Sequence, residues 1–224
     1  MTTRNHRRAP SGGRYIFWDW NGTLLDDTDM AIETLNIMIS RRGGKRISKE
    51  FYRDNFAFPV RPFYERIGVV LKNEDWDALA REYHDTYSAM PKHLAADALD
   101  ALEAVRKAGA GQSIISALRQ DLLERDTSAA GVASFMDWIF GVDNLDGTSK
   151  TKRAEELARL VAEERGGLEG CVLIGDSLHD AETAAAMGVR CILYAGGSHS
   201  AKRLAAAGPT ADTLMEAVGL SLGL

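Results

Sequence analysis

Asp19, Ser116, Lys150, Asp176 and Asp180 stand at or just beyond the ends of short apolar runs, where residues of these types do not belong to a core. Asp19 and Asp176 offer hard oxygen ligands suited to Mg²⁺, which takes one or two carboxylates and completes its shell with waters and phosphate oxygens. Lys150 and the Ser116 hydroxyl can hold the other oxygens of a phosphoryl group, where charge has to be stabilised during transfer. Asp19 can itself attack phosphorus, giving an aspartyl phosphate that water then hydrolyses. An anionic nucleophile facing an anionic substrate needs cations beside it, so acids, lysine and metal are expected as one set. A lone acid after a strand often does no more than cap the next helix. Four strand ends reading Asp, then Ser, then Lys, then Asp-x3-Asp are not explained that way.

For these residues to meet, the runs before them must be parallel strands that share one end. The stretch Tyr15–Asp27, YIFWDWNGTLLDD, sets the pattern: an apolar run closed by turn-forming Asn21 and Gly22 reads as a buried strand. Ligands of open α/β sheets bind at the carboxyl ends of their strands. Further strands are expected at Gln112–Ser116, Asp137–Val142, Cys171–Ile174 and Arg190–Tyr194. Helices are expected at Asp97–Ala108, Gln120–Ala130, Thr151–Glu164, Ala181–Met187, Ser200–Ala207 and Asp212–Val218. This alternation argues for an α/β fold, a doubly wound parallel sheet with helices on both faces. Between the first strand and the rest lies a block without a clear strand. It reads as helices over Thr28–Arg42, Ile47–Phe58 (opened by Ser48), Phe63–Gly68 and Glu74–Met90 (capped by Asn73 and ended by Pro91), and so as an insertion.

The 224 residues suffice for one core plus a smaller insertion, and a net charge of −5 argues against a general nucleic-acid binder. No run of 18 apolar residues could span a membrane as a helix. The opening MTTRNHRRAPSGGR is basic and polar with no apolar segment, so residues 1–14 are expected to be a disordered arm and not a secretory signal. Cys171 and Cys191 flank strand-like runs and read as free thiols in a reducing, cytoplasmic setting.

Taken together, these residues resemble the haloacid dehalogenase superfamily, in particular its Mg-dependent, phosphoglycolate-phosphatase-like members. Asp19-Trp20-Asn21-Gly22-Thr23-Leu24 is similar to the first motif, Ile114-Ile115-Ser116 to the second, Lys150 to the third, and Gly175-Asp176-Ser177-Leu178-His179-Asp180 matches the fourth in full. The likeness covers nearly the whole chain after the basic arm. It implies a Rossmann-like core of strand order 3-2-1-4-5, formed by residues 15–27 and 94–224, with a small helical cap inserted at residues 28–93. It also implies Mg²⁺-dependent hydrolysis of a small phosphorylated metabolite by a monomer or homodimer that binds neither nucleic acid nor membrane. In that scheme Asp19 is nucleophile and metal ligand, and Asp176 is a ligand. Asp180 is a ligand through water or a supporting acid, and Asn21 lends its backbone carbonyl to the metal. Gly22, Thr23, Ser116, Ala117 and Lys150 would surround the phosphate.

One position departs from the family pattern. The second residue after the nucleophile is usually Asp, which protonates the leaving oxygen and then activates water; here it is Asn21. An amide cannot exchange that proton, and such help is worth ~10²–10⁴-fold. Alkyl phosphates are therefore expected to turn over slowly, and aryl or acyl phosphates to suffer less. His179 is a candidate stand-in, set against the plainer reading of a loop histidine that orients backbone. Lys150 has a rival in Lys152, which otherwise reads as a solvated helix charge. Arg61, in the cap between Pro59 and Pro62, is the candidate to meet a second anionic group of the substrate; Arg119 is a weaker one. Trp18, Trp20 and Trp138 read as packing. The alternative from another class is a phosphate-binding or regulatory protein with little turnover.

Overall fold

The computed structural model describes residues 13–70, 75–143 and 150–223. Six parallel strands form one sheet in the order β3-β2-β1-β4-β5-β6. They are β1 (Tyr15–Trp18), β2 (Gly111–Arg119), β3 (Ile139–Val142), β4 (Cys171–Gly175), β5 (Arg190–Tyr194) and β6 (Thr210–Ala211). β1 lies at the centre, with Trp18 in register with Ile114 of β2 and Ile174 of β4.

Both faces of the sheet are covered, which is why the central strands β1 and β4 are near-continuous apolar runs. Ile16, Trp18, Ile114, Val172 and Ile174 pack on one face against α5 (Ala98–Lys107), α6 (Gln120–Ala129) and α10 (Leu214–Leu222). Tyr15, Phe17, Ile115, Phe140 and Leu173 pack on the other against α7 (Thr151–Arg165) and α8 (Leu178–Met187). A buried polar chain ties three elements together on the first face. Trp18 Nε1 donates to Gln112 Oε1 at 3.0 Å, and Gln112 Nε2 donates to the Leu102 carbonyl at 3.1 Å.

The expected 3-2-1-4-5 order is present, extended by the two-residue β6 beside β5. Two residues are too few to leave an apolar pattern. β2 runs on from Ser116 to Arg119 through an irregularity in its pairing with β3. α8 starts at Leu178, three residues before the sequence reading placed it, because Ser177 and Asp180 form a capping box. The short α9 (Ala201–Ala205) precedes β6. The basic arm lies outside the described residues except for Gly13 and Arg14. These two are held to the core, with Arg14 Nη1 donating to the Ser221 carbonyl at 2.8 Å.

The helical cap consists of α1 (Thr28–Arg41), α2 (Lys49–Asn55), α3 (Arg61–Arg66) and α4 (Trp76–Ser88). Ser48 caps α2 by accepting the Phe51 N–H, as its position in the sequence leads one to expect. Asp75 caps α4, whereas the expected cap residue Asn73 lies outside the described residues. The cap has its own apolar cluster, including Leu35, Met38, Ile39, Phe63 and Leu79. Its two connections to the sheet run side by side, with Asp26 N–H on the His93 carbonyl and Ala95 N–H on the Leu24 carbonyl, both at 2.9 Å.

The Trp18–Gln112 contact gives a stability test. Gln112→Leu strands the buried indole N–H and is expected to cost about 1–3 kcal/mol in urea unfolding. Adding Trp18→Phe removes the stranded donor, so the double variant should lose less than the sum of the two singles. Additive losses would show that the bond contributes nothing.

Candidate active site

Asp19 directly follows β1. Its N–H donates to the Ile174 carbonyl at 2.8 Å, so the sheet's pairing continues one residue past the strand and holds the carboxylate at the crevice. Asp176 follows β4, the neighbouring strand, and Asp180 lies in the first turn of α8. One carboxylate oxygen from each of the three lies within 4.8 Å of the others, and Asp19, Asp176 and Asp180 are 6%, 2% and 1% exposed.

Lys150 enters this group from the N-terminus of α7. Its Nζ donates to Asp19 Oδ1, to Asp180 Oδ1 at 2.6 Å and to the Ile115 carbonyl at 3.4 Å. Asp180 divides its oxygens: Oδ1 meets Lys150, while Oδ2 accepts the Ser177 N–H at 3.0 Å and the Ser177 hydroxyl at 2.6 Å. Asp176 Oδ2 accepts the Ser198 N–H, and its Oδ1 faces the Thr23 hydroxyl at 3.4 Å.

Asp19 and Asp180 share one ammonium group while Asp176 is held by Ser198 and Thr23, and the protonation of the three reflects it. Burial drives Asp19 well above the usual carboxylate range, although Lys150 pulls it back. Burial, reinforced by Asp180, pushes Asp176 up to about 7. Burial acts on Asp180 in the same sense, but Lys150 and Ser177 outweigh it and hold Asp180 below its ordinary value. Burial opposes the charge on Lys150, and the carboxylates of Asp180 and Asp19 more than restore it. Asp19 and Asp176 thus lack cationic compensation for full ionisation. A cluster of buried hard oxygens with that deficit fits a divalent cation.

Two glycines make the cluster this tight. Gly22 has φ +75°, and a Cβ there would lie 2.2 Å from Asp176 Oδ2. At Gly175 the need is close approach, since a Cβ would meet Asp180 Cγ at 2.2 Å.

Ser116, 1% exposed, accepts the Leu118 N–H at 3.1 Å and points its hydroxyl at Asn21 Oδ1, 3.5 Å away. Ser116 and Ala117 line the same cavity as Asp19, Lys150 and Asp176. Lys152 is exposed, so Lys150 is the lysine that reaches the cluster; Ser149 before it lies outside the described residues. His179 Nε2 accepts the Lys150 N–H at 3.3 Å, the backbone-orienting role, and burial lowers its pKa. Trp18 and Trp20 are core residues. Trp138 packs at the edge of the other face.

Arg61 is not where the sequence reading put it. It is exposed, pairs with Glu65 at 3.1 Å and lies over the ring of Trp76, and it is not among the described residues lining the cavity. The first turn of α3 faces it to solvent. Arg119 does line the cavity, with its guanidinium engaged by Asp121.

Sequence reasoning missed Asp27. Its carboxylate accepts the Gly22 N–H at 2.6 Å, the Asn21 amide at 2.8 Å and the Tyr87 hydroxyl. Asp27 occupies the N-cap position of α1 but makes no capping bond, because its side chain turns into the site. An acid just before a helix reads as a cap, so the sequence carried no distinguishing signal.

A family model for haloacid dehalogenase-like hydrolases matches residues 16–194. The chain belongs to this family. It is 26% identical over 192 residues to a phosphoglycolate phosphatase of Caulobacter vibrioides, covering 83% of this chain and 80% of that one. Its fold is shared by a putative haloacid dehalogenase-like hydrolase of Bacteroides fragilis, with TM-score 0.75, 21% identity and coverage of 92% and 99%. A predicted phosphatase of Clostridium acetobutylicum is similar, with TM-score 0.73, 18% identity and coverage of 95% and 99%.

Removing the shared cation tests the electrostatics. Lys150→Met leaves buried carboxylates uncompensated and is expected to destabilise by about 3–5 kcal/mol. Protonation relieves the acids, so the loss should be smaller at pH 5 than at pH 8. Urea unfolding at both values would read this, and a pH-independent loss would contradict it.

Proposed function

We propose that this chain is a Mg²⁺-dependent phosphomonoesterase acting through an aspartyl phosphate on Asp19. The observation that supports it most is the meeting of Asp19, Asp176 and Lys150 at the floor of one cavity walled by the cap, with Asp180 held behind them on Lys150. Asp19, Asp176 and the Asn21 carbonyl would hold Mg²⁺, with Asp180 in support. Bound there, the ion would supply charge neutralisation to the phosphoryl oxygens.

Asp19 attacks phosphorus, and Lys150 and the Ser116 hydroxyl would hold non-bridging oxygens. Water then releases phosphate and restores Asp19. Asn21 gives the departing oxygen no proton. Its amide is committed to Asp27 and Tyr87, the latter at 3.0 Å. The enzyme is therefore selective for leaving groups that depart as stable anions. The substrate is a small phosphorylated metabolite, as the name of the Caulobacter relative states for that protein. Cys171 and Cys191 are both free thiols, in keeping with a cytoplasmic setting. No helix among the described residues is long and apolar enough to cross a membrane. The second reading, a phosphate-binding or regulatory protein with little turnover, draws on Asn21 alone.

Phosphate release from a panel of aryl, acyl and alkyl phosphates separates the two. Release should fall to background in Asp19→Asn and on chelation; persistence in either would remove the mechanism. Asn21→Asp should raise alkyl phosphate turnover by about 10²-fold or more, and no gain would show that position 21 does not limit the reaction.

The pH dependence of metal binding follows from Asp176. Its folded pKa of about 7 lies above the ordinary 3.8, so in that window the cation-free folded state holds a proton that the unfolded state has lost. The group's contribution to stability therefore falls as pH rises from about 4 to 7. Mg²⁺ competes with that proton, so its stabilisation in thermal unfolding is expected to be larger at pH 8 than at pH 6. Equal shifts at the two values would count against Asp176 as a ligand.

A further inference from the structure

Above the acid cluster the cavity wall is aromatic. Tyr52, Phe56, Phe58, Tyr64, Trp76 and Tyr83, all from the cap, line the same space as Asp19 and Lys150. The rings are fixed against one another. Tyr52 stacks on Phe56 at 4.7 Å between centroids, Tyr83 stacks on Tyr87 at 5.8 Å, and Phe58 lies 5.0 Å from the His179 ring at the boundary with the core.

The described cap residues on this wall include no lysine or arginine. The ionisable ones are His84, whose pKa burial lowers, and tyrosines, which burial raises. Arg119, from the core, is held by Asp121 in two bonds. A second carboxylate or phosphate on the substrate would be desolvated here without a dedicated partner, which is costly.

We propose that the esterified group is an aromatic ring without a charged substituent, so that the substrate class is aryl phosphates and not small acidic esters of the phosphoglycolate kind. This rests on the phosphomonoesterase reading of Asp19. With the phosphoryl group at Asp19 and Lys150, the ester oxygen's substituent extends toward the rings, which favour flat apolar partners. The chemistry agrees with the missing acid at position 21. A bond forms between Asp19 and phosphorus while the phosphorus–oxygen bond to the ring breaks, and the electron pair leaves on oxygen as a phenolate. A phenolate, whose conjugate acid has a pKa of about 10, departs without a proton from the enzyme and takes one from solvent afterwards. Water then cleaves the aspartyl phosphate to inorganic phosphate.

The test compares kcat/KM for 2-naphthyl phosphate, phenyl phosphate, acetyl phosphate and phosphoglycolate with Mg²⁺. Acetyl phosphate has a good leaving group and no ring, so it separates leaving ability from fit. Naphthyl phosphate is expected to exceed phenyl phosphate by roughly tenfold through the added apolar contact, and phosphoglycolate to be the poorest. Phe58→Leu and Trp76→Leu alter half-buried rings and keep apolar bulk at both sites. Each should lower the naphthyl-to-acetyl ratio of kcat/KM by roughly 3- to 10-fold, chiefly through KM. If acetyl phosphate and phosphoglycolate are hydrolysed as well as the aryl esters, or the ratio is unmoved in both variants, the aryl assignment falls while the phosphatase reading stands. If none of the four releases phosphate faster than the Asp19→Asn protein does, both fall.

Discussion

The bridge from the Lys150 ammonium group to the carboxylates of Asp19 and Asp180 is the interaction on which the site depends. It joins β1, the start of α7 and the first turn of α8, three elements far apart in sequence, through one buried positive charge. Hydrogen bonds fix both ends. Asp180 is anchored through its other oxygen on Ser177, and Asp19 through its backbone on Ile174. A buried pair of this kind contributes little net stability. What it supplies is placement, because moving any of the three elements out of register would strand a buried charge. The remaining deficit falls on Asp19 and Asp176, the two acids of the cluster held above the usual carboxylate range, and it makes their pocket attractive to a cation.

The cap gives that pocket its other wall. α2 reaches across to the core where the Ser200 N–H and Arg203 Nη1 both donate to the Arg53 carbonyl, at 3.2 and 2.9 Å, and Arg203 Nη1 also donates to the Phe56 carbonyl at 2.9 Å. Arg53 returns the contact through the His199 carbonyl at 3.0 Å. The segment receiving the cap, residues 195–200, also carries Ser198, whose N–H holds Asp176. The cap therefore rests on the loop that orients an acid of the cluster, and floor and wall are joined by one connected set of hydrogen bonds. Between groups buried as Asp19, Asp176, Asp180 and Lys150 are, electrostatic interactions are stronger than they would be in water.

The sheet was legible because burial on both faces turns its inner strands into apolar runs, and the acids and lysine were legible because they interrupt the chain at the ends of those runs. What the sequence concealed has specific causes. The Leu178 start of α8 was hidden because the residues that cap it, Ser177 and Asp180, lie in the Asp-x3-Asp stretch, which reads first as a loop. The aromatic wall was hidden because Tyr83 and Tyr87, one helical turn apart, read as ordinary packing; which side of α4 faces the cavity depends on how the cap sits, and no local pattern records that. Arg61 misled for the same reason, since a charge between two prolines has no periodicity from which to read its facing.

Asn21 and Asp27 explain one another. The Asn21 amide donates to a carboxylate that also receives the Gly22 N–H and the Tyr87 hydroxyl, so Asp27 braces the turn carrying the first motif. An acid at position 21 would set a second carboxylate against Asp27 Oδ2 in a space where burial already raises the pKa of Asp27. The amide satisfies that oxygen without adding charge to a pocket holding three further acids. The residue that departs from the family pattern is thus matched to its neighbours in this chain. On the proposed mechanism the same match would leave the ester oxygen without a proton donor at position 21 and place the burden of departure on the leaving group itself, the chemical preference that a wall of neutral rings would select by shape.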